Sequence, residues 1–301
     1  MSEAPTAVDT GGEPVIDAPR SLARDAWYDL KRSRIFWLAS AIALLMVAMA
    51  AFPQLFSSID ARTAPCSLAN SMRPPDAEHW FGFTKQGCDV YARVVYGARS
   101  SILVGLFSTL LAGITALTIG MLAGYYGRWV DGLLARIMDV FLGIHPLLGA
   151  IVVAKALSGY DLGIWPMVLA IGALGWPIPA RVIRSSVVSA RQQDYVQAAR
   201  MLGAGTRRVL LRHILPNSLA PMVVVMMIAL GNFISFEATL SFLGVGPKGT
   251  ISWGVDIADA QIWIREAAFP LLFPAGFLTL TVLAFIMLGD AVREAFDPRL
   301  R

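Results

Sequence analysis

The chain has 301 residues, a formal net charge of +4, 56% hydrophobic residues and only 15% charged residues. Soluble domains average about 45–50% apolar and about 25% charged residues, so these values exclude an ordinary soluble protein and point to a multi-span membrane protein. The modest positive charge fits basic loops held on the cytoplasmic side, and there is no clustered nucleic-acid-binding signature.

Residues 1–30 read as a polar cytoplasmic tail without stable structure, rich in Pro, Gly and Asp. Lys31, Arg32 and Arg34 lead into the apolar run Ile35–Phe52, which is too long and begins too late for a signal peptide. We assign 31–56 to the first transmembrane helix. Residues 57–98 form an extracytoplasmic loop, with Pro65, Pro74 and Pro75 breaking regular structure. The core, 99–290, holds five further apolar runs at 101–124, 133–157, 162–178, 218–240 and 271–288. They are near the roughly 20 residues a helix needs to cross a bilayer, and they lack strand alternation. A second exported connection, 241–270, includes a short amphipathic helix at 257–268. Residues 291–301 form a cytoplasmic C-terminal tail.

The fourth-to-fifth connection carries Arg181, Arg184, Arg191, Arg200, Arg207, Arg208 and Arg212. It is the strongest cytoplasmic marker in the chain and sets both termini in the cytoplasm. A helix over 181–202 is expected here, with Gly203 where a left-handed C-terminal glycine belongs. Thr206 is placed to cap a second helix, 207–215, which Pro216 ends before the next span. Ala198 and Ala199 leave room for another protein to approach closely.

Cys66 and Cys88 share the first exported loop and lack a CxxC or His-rich context, so they are candidates for a disulfide and not for zinc. Asp139, Asn232 and Glu237 are candidate pore or gate residues. The alternative for each is a structural bond to an Arg, a backbone group or a neighbouring helix. His145, before Pro146, reads as a kink position. Met222, Met226 and Met227 fit either an adaptable pore wall or packing. No nucleotide-binding G-x-x-x-x-G-K-[ST], H-E-x-x-H or G-x-S-x-G motif is present, so we assign no catalytic residue and no metal site.

Gln197-Ala198-Ala199-Arg200 with Gly203, followed by His213-Ile214-Leu215-Pro216-Asn217, resembles the EAA loop of ABC importer permeases. Further stretches extend the likeness over most of the chain. They include His79-Trp80-Phe81-Gly82, Tyr96-Gly97-Ala98-Arg99-Ser100, Glu237-Ala238-Thr239-Leu240-Ser241-Phe242-Leu243-Gly244, Ser252-Trp253-Gly254 and Asp297-Pro298-Arg299. Together they are similar to the oligopeptide/dipeptide/nickel group, specifically to the C-type member of its permease pair. Gln197 stands in place of the eponymous Glu, and Cys88 in place of an Arg.

The resemblance implies an all-α membrane protein with six transmembrane helices, the type I ABC importer permease fold and cytoplasmic coupling helices. It implies that Gln197, Ala198, Ala199, Arg200, Gly203, Leu215 and Pro216 contact an ATPase. Implied partners are a homologous second permease, two ATP-binding subunits or one fused ATPase, an extracytoplasmic solute-binding protein, a peptide substrate and the lipid bilayer. ATP and Mg would be bound by the ATPase subunits and no cofactor by this chain. The implied location is the bacterial cytoplasmic (inner) membrane. Nickel chelates, glutathione or another small solute remain alternative cargoes. A stand-alone secondary carrier would show inverted repeats, which are not visible.

Overall fold

The computed structural model describes residues 22–160, 162–247 and 249–296. The tail over residues 1–21 and the Asp297-Pro298-Arg299 stretch lie outside the described residues. A helix α1 (Leu22–Arg32) leads into α2 (Arg34–Ala51), whose N-cap is Ser33, and a single turn α3 (Pro53–Phe56) follows. Residues 22–30 are therefore helical and not part of an unstructured tail. Burial supplies the reason: Leu30 packs against Val224, Ala291, Val292 and Ala295.

The first loop is ordered. Cys66 and Cys88 form a disulfide. Backbone bonds from Ser67 N–H to Gly87 O at 3.2 Å and from Met72 N–H to Thr84 O at 3.1 Å close it further. Gly87 has φ +75°, and a Cβ there would lie 1.8 Å from Ser67 O, so only glycine fits.

The loop ends at Asp89 and not at 98. Asp89 accepts from Ala92 N–H at 2.7 Å and caps α4 (Val90–Tyr126), which is 37 residues long. Residues 90–98 stay helical because Val90, Val94, Val95, Tyr96 and Ala98 are buried.

The third and fourth apolar runs are each broken. α5 (Arg128–Gly143) and α6 (Pro146–Leu157) meet at 87°, and α7 (Trp165–Gly175) and α8 (Pro177–Arg191) at 43°. Pro146 and Pro177 each stand in the first turn of the second member. A proline there has no N–H to give the preceding helix and disfavours helical backbone in the residue before it. Ile144 and His145 are indeed extended, with ψ of 123° and 117°, whereas Trp176 before Pro177 stays in the helical region at ψ -25° and the bend there is the shallower one.

After α9 (Asp194–Met201), the short helix α10 (Thr206–Val209) runs through a π-turn at Leu210–Ile214 into α11 (Leu215–Leu240). Thr206–Val245 is thus a nearly continuous helical stretch whose regular part is α11, with a second π-turn at Ser241–Val245 where Gly244 leaves the helical region at φ +77°. Pro216 does not end a helix as expected. The wider π-turn just before it absorbs the missing N–H. Gly205, rather than Thr206, holds the N-cap position.

α12 (Trp253–Ala260) is capped by Ser252, so the amphipathic helix expected at 257–268 starts earlier and stops sooner. α13 (Phe269–Phe296) takes in most of the supposed C-terminal tail. Four helices are long and apolar enough to cross a membrane, or six if each bent pair is one span. Among the described residues there is no strand, only an isolated bridge between Phe83 and Asp89.

α4 is the central mast. Its Ala112, Ala116 and Ala123 pack with Ile183 and Val187 of α8. A Cβ on Gly120 would lie 2.7 Å from Ala180 O, and one on Gly124 2.8 Å from Val187 Cβ. Small residues are what allow membrane helices to gain close contact where lipid removes the hydrophobic drive.

Candidate functional site

The 181–216 segment is two helices joined at Gln192–Gln193, then a tight turn, and not one long helix followed by another. α8 ends with Gln192 and Gln193 N–H groups bonded to Ser189 and Ala190 carbonyls, both at 3.2 Å. α9 then packs through Val196 into the cluster that includes Val187, Val209 and Ile214.

At the end of α9, Gly203 adopts φ +81°. Its N–H bonds Arg200 O at 2.9 Å, and Ala204 N–H bonds Ala199 O at 3.0 Å. These two bonds form a Schellman motif, which satisfies two carbonyls the helix would leave open. The turn presents Met201 and Leu202 at 85% and 88% exposure, so two large apolar side chains project from the tip. Sequence reasoning did not single them out. The signal was available in two apolar residues set directly before the C-terminal glycine.

The loop is tied to the body by polar contacts. Arg191 Nη1 donates to Tyr125 O at 2.8 Å, at the C-terminal end of α4, where a cation also meets the helix dipole favourably. Arg200 lies over the Tyr125 ring at 5.2 Å. Asn217 Nδ2 donates to Tyr195 Oη at 2.9 Å and to His213 O at 2.8 Å, joining α9 to the long helix. Gln197 Nε2 donates back to Gln192 O at 3.3 Å.

Gln197, Ala198, Arg200 and Gly203 share the exposed loop, with Ala199 half-buried beneath. Leu215 and Pro216 lie past the π-turn, in the long helix and away from the tip.

The polar candidates separate. Asp139 is ion-paired to Arg181, with both side chains about half exposed. Beside it, Arg184 Nη2 donates to Asp131 Oδ2 at 2.6 Å, so two Arg–Asp pairs staple α5 to α8. Asn232 is exposed on α11, in one stripe with Ser235 and Thr239. Glu237 lies on the opposite side and has no exposure, so it lines no open path in this subunit. Met222 and Met226 pack over Gly113, which fits the packing alternative. His145 holds the N-cap position at the 87° break. No group of three or more potential metal ligands occurs among the described residues.

The chain is thus a multi-span helical membrane protein with one exposed helix-turn-helix loop. A family model described as binding-protein-dependent transport system inner membrane component matches residues 116–301, and one described as the N-terminal TM domain of oligopeptide transport permease C matches residues 21–74. The chain is 38% identical over 280 residues to the dipeptide transport system permease protein DppC of Alkalihalophilus pseudofirmus, covering 92% of this chain and 90% of that one. It is 33% identical over 299 residues to the oligopeptide transport system permease protein OppC of Bacillus subtilis, covering 99% and 96%. Among solved structures, the MetNI methionine ABC transporter aligns with a TM-score of 0.53 at 18% identity, over 67% of this chain and 96% of that chain. The chain belongs to the binding-protein-dependent transport system inner membrane component family and has the type I ABC importer permease fold.

Proposed function

We propose that this chain is the membrane-spanning permease subunit of an ATP-driven importer of peptides, working with a second, homologous permease. The reading rests on one observation: identity of 33–38% to dipeptide and oligopeptide permeases over 92–99% of the chain. The chain supplies path and lever. Hydrolysis belongs to ATP-binding subunits, either two chains or one fused chain, which hold ATP and Mg. A solute-binding protein delivers cargo to the loops at 57–89 and 246–268, on the side opposite the Gln197–Gly203 turn.

The mechanism follows from the loop's build. Met201 and Leu202 enter a groove on the ATPase, where full burial of each side chain is worth about 1.5–3 kcal/mol. Arg200 and Gln197 fix the orientation of the loop. Closure of the ATPase pair on ATP displaces α9. The Tyr195–Asn217 bond and the shared Val196–Val209–Ile214 packing pass that motion to the helix that begins at Thr206. Beyond the π-turn at Leu210–Ile214, α11 continues through Pro221 to Leu240, so the displacement is carried along one helix toward the opposite face.

The test is uptake in vesicles by the complete complex of both permeases, the ATP-binding subunits and the binding protein. Dialanine uptake that requires ATP, both permeases and the binding protein supports the reading. Uptake of a nickel chelate or glutathione in its place redirects the cargo. Transport by this chain without any ATPase overturns the reading.

A further inference from the structure

Three stretches of the chain meet around one buried acid. Glu237, in the last turn of α11, is fully buried. Ser241 Oγ donates to Glu237 Oε1 at 2.7 Å. The hydroxyls of Ser101 on α4 and Ser252 before α12 lie beside the carboxyl. Both of these serines already accept backbone N–H bonds, from Trp253 and Val255 at 3.3 Å each, so their hydroxyl protons are free to point at Glu237. One side chain thereby joins α4, the long helix and the N-cap of α12. Glu237 Oε2 has no hydrogen-bond partner among the described residues.

The backbone around the acid is shaped for this contact. A Cβ on Gly254 would lie 2.6 Å from Ala238 Cα, and one on Gly97 3.3 Å from the Trp253 ring. Trp253 is fully buried, and its Nε1 donates to Val94 O at 2.9 Å. Glycine at both sites lets α12 lie against the two membrane helices, and the tryptophan pins it. An unpaired buried carboxyl is costly unless its bonds are needed. No Lys, Arg or His bonds it, which leaves hydrogen bonding to α12 as its use.

We propose that Glu237 is a positioning residue that locks α12 to the far end of the long helix, so that movement started at the Gln197–Gly203 loop is delivered to the surface that receives the binding protein. The inference rests on the peptide-importer reading. The acid does not touch substrate. It makes the last rigid joint in a line that starts at the ATPase.

The test compares Glu237→Gln, Glu237→Ala and Ser252→Ala in the reconstituted complex, with ATP hydrolysis measured alone and with the binding protein loaded with dialanine. Gln keeps an acceptor for Ser241, whereas Ala removes it. The stimulated maximal rate is expected to fall by about tenfold in Glu237→Ala, the size of an ordinary coupling between sites. The basal rate and the half-saturating binding-protein concentration should hold, and Glu237→Gln should restore stimulation to within about twofold of wild type. Ser252→Ala should show a partial loss of the same kind and serves as the readout if Glu237→Ala does not assemble. Stimulation unchanged in Glu237→Ala, an equal fall in basal rate, or no rescue by Gln overturns the inference. With Glu237→Ala unassembled, full stimulation in Ser252→Ala does the same. A wild-type complex indifferent to the loaded binding protein overturns the importer reading, and the inference with it.

Discussion

Arg93 Nε donates to Asp256 Oδ1 at 2.9 Å, joining α4 to α12 across 163 residues of sequence. Asp256 is buried and Arg93 nearly so, with side-chain exposures of 5% and 19%. Burial raises the Asp256 pKa above the ordinary Asp value, and the Arg93 charge pulls it down. The net direction is up. The folded chain therefore holds this proton more tightly than the unfolded chain, and stability declines as pH rises above the ordinary Asp range.

Asp256→Asn keeps an acceptor for Arg93 and removes that slope. Thermal unfolding of wild type and Asp256→Asn in detergent, from about pH 4 to about pH 7, checks it, because the difference between the two curves isolates this group. Asp256→Ala strands a mostly buried guanidinium and should cost on the order of 3–5 kcal/mol. Parallel wild-type and Asn curves would show that the carboxyl titrates alike in both states.

Gly203 is a separable case, because a Cβ there meets nothing within 4 Å. The cost of a side chain is purely one of backbone conformation, about 1–2 kcal/mol for left-handed φ. Gly203→Ala should insert and assemble with a small loss of stability. Gly203→Glu adds a charge beside Met201 and Leu202, so we expect normal insertion, weak ATPase co-purification and lost uptake. Retention of both binding and uptake by Gly203→Glu would place the ATPase contact elsewhere.

Asp139 carries a milder expectation. Its pair with Arg181 is half exposed, and such pairs contribute about 0–1 kcal/mol. Asp139→Asn should leave assembly and peptide uptake close to wild type. Loss of uptake by an intact complex would restore Asp139 to the translocation path.

The membrane helices were legible in the sequence because roughly 20 apolar residues leave a signal that needs no neighbour. The break at His145 was legible because Pro146 follows it, whereas the one at Trp176 was not, because averaging hydropathy over a span is blind to direction, although Pro177 marked the place. The first nine residues of α4 read as loop because Arg93 looks solvated. Arg93's partner is Asp256, a pairing that only the folded chain reveals. Gly203 was legible because its role is local to one helix end. Glu237 read as a possible pore residue because its serines come from positions 101, 241 and 252, and burial cannot be inferred from any one of them.

The disulfide gives the sharpest test of side. Cys66 and Cys88 are bonded, with a separation of 22 residues. Closing a loop of about this size stabilises by on the order of 3 kcal/mol in the chain-entropy picture. Disulfides form and persist in oxidising compartments, so we predict from the bond that the 57–89 loop is exported and that α1 lies in the cytoplasm. Two measurements are paired. Peptide mapping without reductant, on protein alkylated before lysis, should recover the two cysteines as one linked species. In a background with both replaced by Ser, single cysteines at positions 205 and 250 should label only from the cytoplasm and only from outside, respectively. The Ser background should still insert, with the loop loosened and binding-protein stimulation reduced. Free thiols at both positions would reject the bond and leave the loop ordered by packing alone, whereas reversed labelling at either probe would overturn the orientation, and the faces assigned to the ATPase and the binding protein would exchange.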